Sequence, residues 1–292
     1  MPDPPAGLVD RRTLASLRRL EAIEQRKRAT WLTKALRGGL FSLRYLPRLQ
    51  LGGSSGEAAD RVEGAELWLG LPNRRRGLIS VAPLLRDLEN PALYAEMLRF
   101  TLDAAAVAVQ LWPLDCRVAV PLPSRALADH VVCDTLLAAL GREGFGQGRI
   151  DLQIDESELI DGGMAQHHAM ASLRECGVGV ILEGFGAVFG SLALLSRLPL
   201  TGLKLDRRLA HMMTPEDASN DATLIRASVE IAHRLGIPVT IDGVETEMEV
   251  NRARALEIDL VQGPWVGPAM SAEAIRARTR SSETRRSMTV GL

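Results

Sequence analysis

Aromatic residues are scarce in this chain, 4% of 292 positions, and there are only three cysteines. Cys116, Cys133 and Cys176 lie far apart with no CxxC or CxxxC spacing. That pattern builds neither a structural zinc site nor a disulfide framework, and the three read as buried reduced thiols. An excess of one charge is also missing: 35 Lys and Arg stand against 36 Asp and Glu, a net charge of −1. No overall field draws the chain to nucleic acid, and only scattered Arg clusters speak for such a partner. No run approaches the roughly 20 apolar residues that span a bilayer. The start, MPDPPAGLVDRR, lacks the apolar stretch of a secretory signal. A soluble, cytoplasmic protein with no membrane partner is the expectation. What the chain does have is apolar material, 46% of its residues, enough for a globular core and too much for wholesale disorder. Its length suits two ordinary domains, or one α/β barrel of roughly 250 residues with tails.

Three segments are expected. Residues 1–29 read as a charged lead-in helix or linker, with Leu14, Leu17, Leu20 and Ile23 as a stripe and Arg18, Arg19, Arg26, Lys27 and Arg28 on a basic side. Residues 30–279 read as one barrel domain. Residues 280–292, polar and without periodicity, read as a disordered tail. Inside the barrel segment, short apolar runs at 41–45, 65–69, 117–122, 150–154, 178–183, 202–206, 238–242 and 259–262 read as strands. Amphipathic stretches at 91–111, 125–142, 166–175, 191–198, 221–235 and 247–255 read as helices. Strand alternating with helix implies parallel pairing with right-handed crossovers, and eight such strands suggest a closed TIM-like (β/α)8 barrel. The first two runs are joined by a Gly/Ser-rich loop with no helix, so one strand should be antiparallel. The NRRR run at 73–76 is expected in a turn between strand and helix.

Barrel enzymes place their chemistry at the carboxyl ends of strands. The polar residues there are Glu66, Gln153, Glu183, Lys204 with Asp206, Asp242 and Gln262, with Glu156 and Glu245 just beyond. Carboxylates converging on one rim suit a hard cation such as Mg²⁺, and two such ions clamp a phosphodiester and activate a water. Lys204 would then neutralise developing phosphate charge. Each residue also has a plainer role open to it: an acidic residue after a strand caps the next helix, and Lys204 with Asp206, two apart on one face, can form an ion pair. A Schiff base on Lys204 is a more distant option, since no phosphate-binding Gly-rich loop follows the later strands.

Several long motifs occur in order across about 31–275. EGFGAVFGSLALLSRLPLTGLKLDRRL (183–209) is similar to DDFGTGYSSL…LP…LKIDRSF. IPVTIDGVETEMEV (237–250) is similar to V-x-AEGVET, and DLVQGPWVGPAM (259–270) to D-x-x-QGY-x-x-x-PL. Upstream, LRYLP (43–47) is similar to YYQP and GAELWLG (64–70) to G-x-EALLR. Together they resemble the EAL domain, the cyclic di-GMP phosphodiesterase family. The resemblance implies a barrel with one antiparallel strand and a two-metal phosphodiesterase site using Mg²⁺ or Mn²⁺.

The departures fall on the chemistry that the resemblance implies. The phosphate-binding Arg of the signature falls on Gly70, and the ligand Gln of YQP on Leu46. The metal-binding Asn of VNLS falls on Pro121, and the Glu of LEIxES on Gln153. The paired Asp residues become Glu183 and Gly184, and the Glu of AEGVET becomes Asp242. Glu66 and Lys204 survive as catalytic remnants. Gln262, Asp206 and Glu245 are retained as ligand-binding positions, and Glu156 where the family braces a mobile loop. Any remaining metal site would be a weak one at Glu66, Glu183 and Asp242, so no cofactor is expected, Mg²⁺ or Mn²⁺ entering only with residual activity. The missing Arg alone removes a charge-assisted contact of about 1.5–3 kcal/mol, which weakens cyclic di-GMP binding. Leu46, Trp68, Phe189 and Trp265 make the mouth more apolar, which suits a protein contact. The expected function is a catalytically degenerate, regulatory interaction module with an unidentified protein partner. A non-hydrolysing cyclic di-GMP receptor, a residual phosphodiesterase and a homodimer stay open.

Overall fold

The computed structural model describes residues 11–52, 59–73, 75, 77–86, 88, 90–140, 148–159, 164–187, 192–213 and 220–289. Helix α1 (Arg11–Arg37) leads into β1 (Ser42–Gln50), β2 (Arg61–Asn73), β3 (Gly77–Ser80) and α2 (Ala82–Arg86). Next come α3 (Pro91–Leu111), β4 (Arg117–Pro121), a 3₁₀ turn (Ser124–Ala128), α4 (His130–Leu140), β5 (Ile150–Asp155), α5 (Glu156–Leu159), α6 (Met164–Glu175) and β6 (Gly179–Phe185). The chain finishes with α7 (Leu192–Arg197), β7 (Gly202–Leu205), α8 (Arg207–Met212), α9 (Asn220–Arg234), β8 (Val239–Ile241), α10 (Glu247–Ala255), β9 (Leu260–Val261) and α11 (Ala272–Thr289).

The strands close in the order β1-β9-β8-β7-β6-β5-β4-β2, with β2 returning to β1. β1 is antiparallel to both its neighbours, and the other barrel pairs are parallel. Lumen-facing positions therefore alternate along each strand. The outer faces carry Val118, Val120, Leu152, Val180, Leu182, Leu203 and Leu205, all at most 1% exposed, and pack under the helices.

Helix α3 shows how local sequence sets these elements. Asn90 caps it by accepting from the Leu93 N–H at 3.1 Å, and Pro91 takes a first-turn position that needs no donor. Its apolar stripe is buried, and Pro113 ends the run. In α10 a full capping box joins Thr246 to Glu249. Burial pushes the Glu249 carboxyl up, but the backbone N–H groups of Glu245 and Thr246 outweigh it and the pKa is lowered.

Several boundaries differ from the sequence reading. α1 runs unbroken across position 29 to Arg37, and α11 runs on to Thr289, through most of the segment read as a disordered tail. That last stretch carries no apolar stripe, so periodicity could not mark it. The expected helix over 125–142 is split: Asp129 breaks it by accepting from the backbone N–H groups of Val131 and Val132. Arg75 lies in a turn between two strands, β2 and β3, not between strand and helix; β3 is a short pairing outside the barrel. Of the three thiols only Cys116 is buried; Cys133 is half-buried and Cys176 exposed. Burial pushes the Cys116 thiol up to about 12, so it is inert at neutral pH.

The amino-terminal floor of the lumen is ionic. Arg48 on β1, 3% exposed, pairs with Glu63 at 2.9 Å and with Asp151 on β5 at 3.0 Å, while Arg117 Nε donates to the other Asp151 oxygen at 2.9 Å. Burial would raise the Asp151 pKa, but the two guanidinium groups outweigh it and hold the carboxyl below its ordinary range. Removing one member of such a cluster leaves a buried charge without its counterion. Arg48→Ala is therefore expected to cost about 3–5 kcal/mol in urea unfolding, with the barrel mouth unaffected.

Candidate functional site

The carboxyl ends of β2, β5 and β7 and the start of the loop after β9 bring four polar side chains to one point. Glu66 Oε2 accepts from Lys204 Nζ at 2.6 Å, from Gln262 Nε2 at 3.1 Å and from Gln153 Nε2 at 3.3 Å. The register explains the meeting: Pro121 pairs with Gln153, and Glu66 with Ala119 on the strand between, so all face the lumen. Lys204, one of three lysines among the 35 cationic residues, is 2% exposed. Asp242 approaches it from beyond β8 at 3.6 Å. Both glutamines spend their NH2 groups on Glu66, so Gln153 Oε1 and Gln262 Oε1 are buried without a partner among the described residues. Reversing either amide would aim a carbonyl at a carboxylate, so the negative charge fixes their orientation.

The pKa values of the cluster follow from who has the ammonium. Burial pushes the Glu66 carboxyl up, but Lys204 and the two amides outweigh it and the pKa is lowered. For Lys204, burial is outweighed by Glu66, Asp242 and Glu183, and the pKa is raised. Glu183 on β6 is left with the smaller share. Burial, joined by the negative charges of Glu66, Asp242 and Asp155, overrides Lys204 and pushes its carboxyl up to about 7.

The other expected site residues divide. Asp206 caps α8, accepting from the Arg208 backbone at 3.0 Å and its Nε at 2.7 Å, so Lys204 pairs across the barrel and not with Asp206. Glu156, 3% exposed, accepts from the Gly186 N–H at 3.3 Å and so tethers the loop after β6. Leu46 and Trp68 line the mouth. Glu245 is exposed and away from the cavity, and Trp265 is 39% exposed and does not line it. Phe189 lies outside the described residues. Gly184 has φ +73°, a conformation that disfavours most side chains. A Cβ at Gly70 would lie 2.3 Å from the Trp68 ring, so the indole occupies the space where a side chain at 70 would begin.

The cavity over this cluster measures about 610 Å³. Seven carboxylates line it against three basic side chains, Lys204, Arg207 and Arg208. Among the described residues no group of three or more His, Cys, Asp or Glu side chains is placed to hold a metal ion. No helix among them is long and apolar enough to cross a membrane. Sequence reasoning missed the cavity's extension between β2 and α3, lined by Leu67, Leu69, Tyr94, Met97 and Leu98. The α3 residues there have the i, i+3, i+4 spacing of an ordinary core stripe, which gives no separate signal.

Two measurements test this geometry. The Glu183 pKa lies above its ordinary 4.5, so protonation favours the fold. That contribution is full below pH 4.5 and is lost as the pH rises to about 7. Glu183→Gln is expected to remove this decline in thermal-melt series and to exceed wild type above neutrality by about 1–3 kcal/mol. Gly70→Ala is expected to destabilise by about 1–3 kcal/mol by displacing the indole. In a Trp68→Leu background that cost should largely vanish, a coupling that a double-mutant cycle reads directly.

The model of the family described as "EAL domain" matches residues 29–269. Among curated relatives, the bifunctional diguanylate cyclase/cyclic di-GMP phosphodiesterase MucR of Pseudomonas aeruginosa is 28% identical over 218 residues, covering 73% of this chain and 32% of MucR. The cyclic di-GMP phosphodiesterase PdeR of Escherichia coli is 27% identical over 223 residues, 75% of this chain and 32% of PdeR. The chain thus spans about a third of each of these proteins. The solved MucR phosphodiesterase in complex with cyclic di-GMP superposes with a TM-score of 0.74 at 26% identity, covering 85% of this chain and 99% of that one. The Xanthomonas citri FimX EAL domain, at 24% identity and a TM-score of 0.70, covers 87% of this chain and 98% of its own and agrees in fold. With a family match over most of its length and a barrel of the same architecture, the chain belongs to the EAL domain family.

Proposed function

We propose that this EAL domain acts in cyclic di-GMP signalling as a regulatory interaction module that has given up efficient two-metal hydrolysis. The observation that carries this reading is the amide of Gln153, which stands where the family pattern has a carboxylate and turns its Nε2 donor onto Glu66 at 3.3 Å. Divalent magnesium needs anionic oxygens in near-octahedral array at about 2.0–2.1 Å. Here Gln153 and Gln262 turn donors inward, and Asp242 leans on Lys204. The donor set does not fit a pair of divalent ions. A dinucleotide with two phosphates would also enter a cavity in which carboxylates outnumber cations seven to three. Without metal charge that field repels it.

The apolar replacements support a protein partner at the mouth, where Leu46 and Trp68 line the opening. A second surface suits the same role: α1 exposes Ile23 and Trp31, 49% and 46% accessible, among Arg26, Lys27 and Lys34. A non-hydrolysing receptor is the second reading, favoured by Arg207 and Arg208 at the rim and by the likeness to the MucR complex.

Titration of the purified chain with cyclic di-GMP, with and without Mg²⁺ or Mn²⁺, separates these readings when followed by calorimetry and product analysis. The expected outcome is no linear pGpG and no binding tighter than millimolar. Submillimolar binding without turnover would establish the receptor instead. Metal-dependent pGpG formation that Glu66→Ala abolishes would overturn both.

A further inference from the structure

Charge is divided unevenly along this chain. The sequence of helix α1 has nine Arg and Lys against two Glu, a surplus of seven. The whole chain has 35 against 36, so the remainder holds 26 against 34, a deficit of eight. On the inner side of α1, Leu32 and Ala35 are at most 1% exposed and Leu36 packs on the core, so the helix is held against its own barrel. Its outer face is uncovered. There Trp31 stands four residues after Lys27 and three before Lys34, which sets the indole between two ammonium groups on one face. With Ile23, Arg26 and Thr30 these residues line a shallow depression. An exposed tryptophan among cations suits a partner surface that is acidic and partly apolar. Two such faces repel one another, so pairing of α1 with α1 is disfavoured.

The complementary surface is on the same molecule. The barrel mouth has seven carboxylates to three basic side chains, and Leu46, Trp68 and Pro123 give it an apolar wall. Because its inner face is fastened, α1 cannot turn its outer face onto its own mouth, but a second copy can supply one. The direction of the chain lets the exchange be mutual. α1 runs into β1, whose Ser42 pairs with Gly70, two residues beyond Trp68. One two-fold axis on that side of the barrel therefore serves both contacts.

We propose that two copies of this chain pair reciprocally, each setting the Lys27, Trp31 and Lys34 face of its α1 against the acidic mouth of the other. The indole meets the apolar wall, and the lysines meet the rim carboxylates Asp155, Glu183 and Asp242. This contact rests on the interaction-module reading and names a second copy as the partner.

Sedimentation of the full chain at about 100 μM tests it. The expected species at low salt is a dimer, with a dissociation constant that rises at least about tenfold between about 50 and about 500 mM NaCl. Lys27→Glu/Lys34→Glu should be monomeric, and Trp31→Ala should weaken the dimer at least about tenfold, both with the circular dichroism and Tm of the wild type. The chain has three lysines and Lys204 is buried, so a carbodiimide joins Lys27 and Lys34 selectively to carboxylates in contact with them. In a mixture of isotopically light and heavy chains, mixed products linking these lysines to Asp155, Glu183 or Asp242 are expected. A monomer at this concentration would overturn the proposal, whether or not α1 then binds anionic vesicles or an acidic polypeptide. So would a dimer unchanged in Lys27→Glu/Lys34→Glu, or cross-links from α1 only to carboxylates outside the mouth, such as Glu247 on α10. The two readings fail separately: a monomer that neither binds nor cleaves cyclic di-GMP removes this contact and leaves the module, whereas pGpG formation removes the module whatever the oligomeric state.

Discussion

The ammonium of Lys204 is the charge around which the mouth of this barrel is arranged. It sits where water is nearly excluded, so its electrostatic field is weakly screened and neighbouring carboxylates compete for it. Glu66 wins by contact, Asp242 stands one ångström further off, and Glu183 is left partly unneutralised. The competition accounts for two carboxylates of one cluster that move in opposite directions, Glu66 down and Glu183 up. It also accounts for two glutamines that turn away from their own best hydrogen-bond balance to serve the same oxygen. A lysine suits this place better than an arginine, because a compact head with three donors can address carboxylates from different strands.

Two ionic layers are stacked in the lumen, and they differ in kind. At the floor, Arg48 and Arg117 meet Glu63 and Asp151 with charges matched two to two. At the mouth the carboxylates are in excess and open space adjoins them. Buried pairs of the first kind contribute chiefly to the choice of one packing arrangement. An excess of the second kind is a standing demand for a positive group, which Lys204 answers only in part.

Much of this was legible in the sequence. All eight barrel strands follow from short apolar runs separated by amphipathic stretches, and the missing helix between the first two runs announces the antiparallel β1. Helices α3 and α10 begin and end where their caps and prolines put them. The four-residue elements β3 and α5 were not read from the sequence. The polar residues at strand ends were also visible, but their partners were not. Lys204 and Asp206 share a strand face and look paired in one dimension; only barrel closure places Glu66 nearer than Asp206. The loss of a side chain at Gly70 was readable, whereas the indole of Trp68 filling that space is a fact of rotamer and strand curvature.

Because β1 runs against the other strands, its first residue, Ser42, lies beside Gly70 at the open end of the barrel, and its last, Gln50, lies at the closed end. The helix α1 therefore joins the barrel at its open end, and the N–H groups of Gly38 and Gly39 close its last turn on the carbonyls of Lys34 and Leu36. Along the chain, α1 is followed first by the strand that carries Leu46, and the ionic floor is met only at the far end of β1. The end of α1 and the opening thus lie at the same end of the barrel.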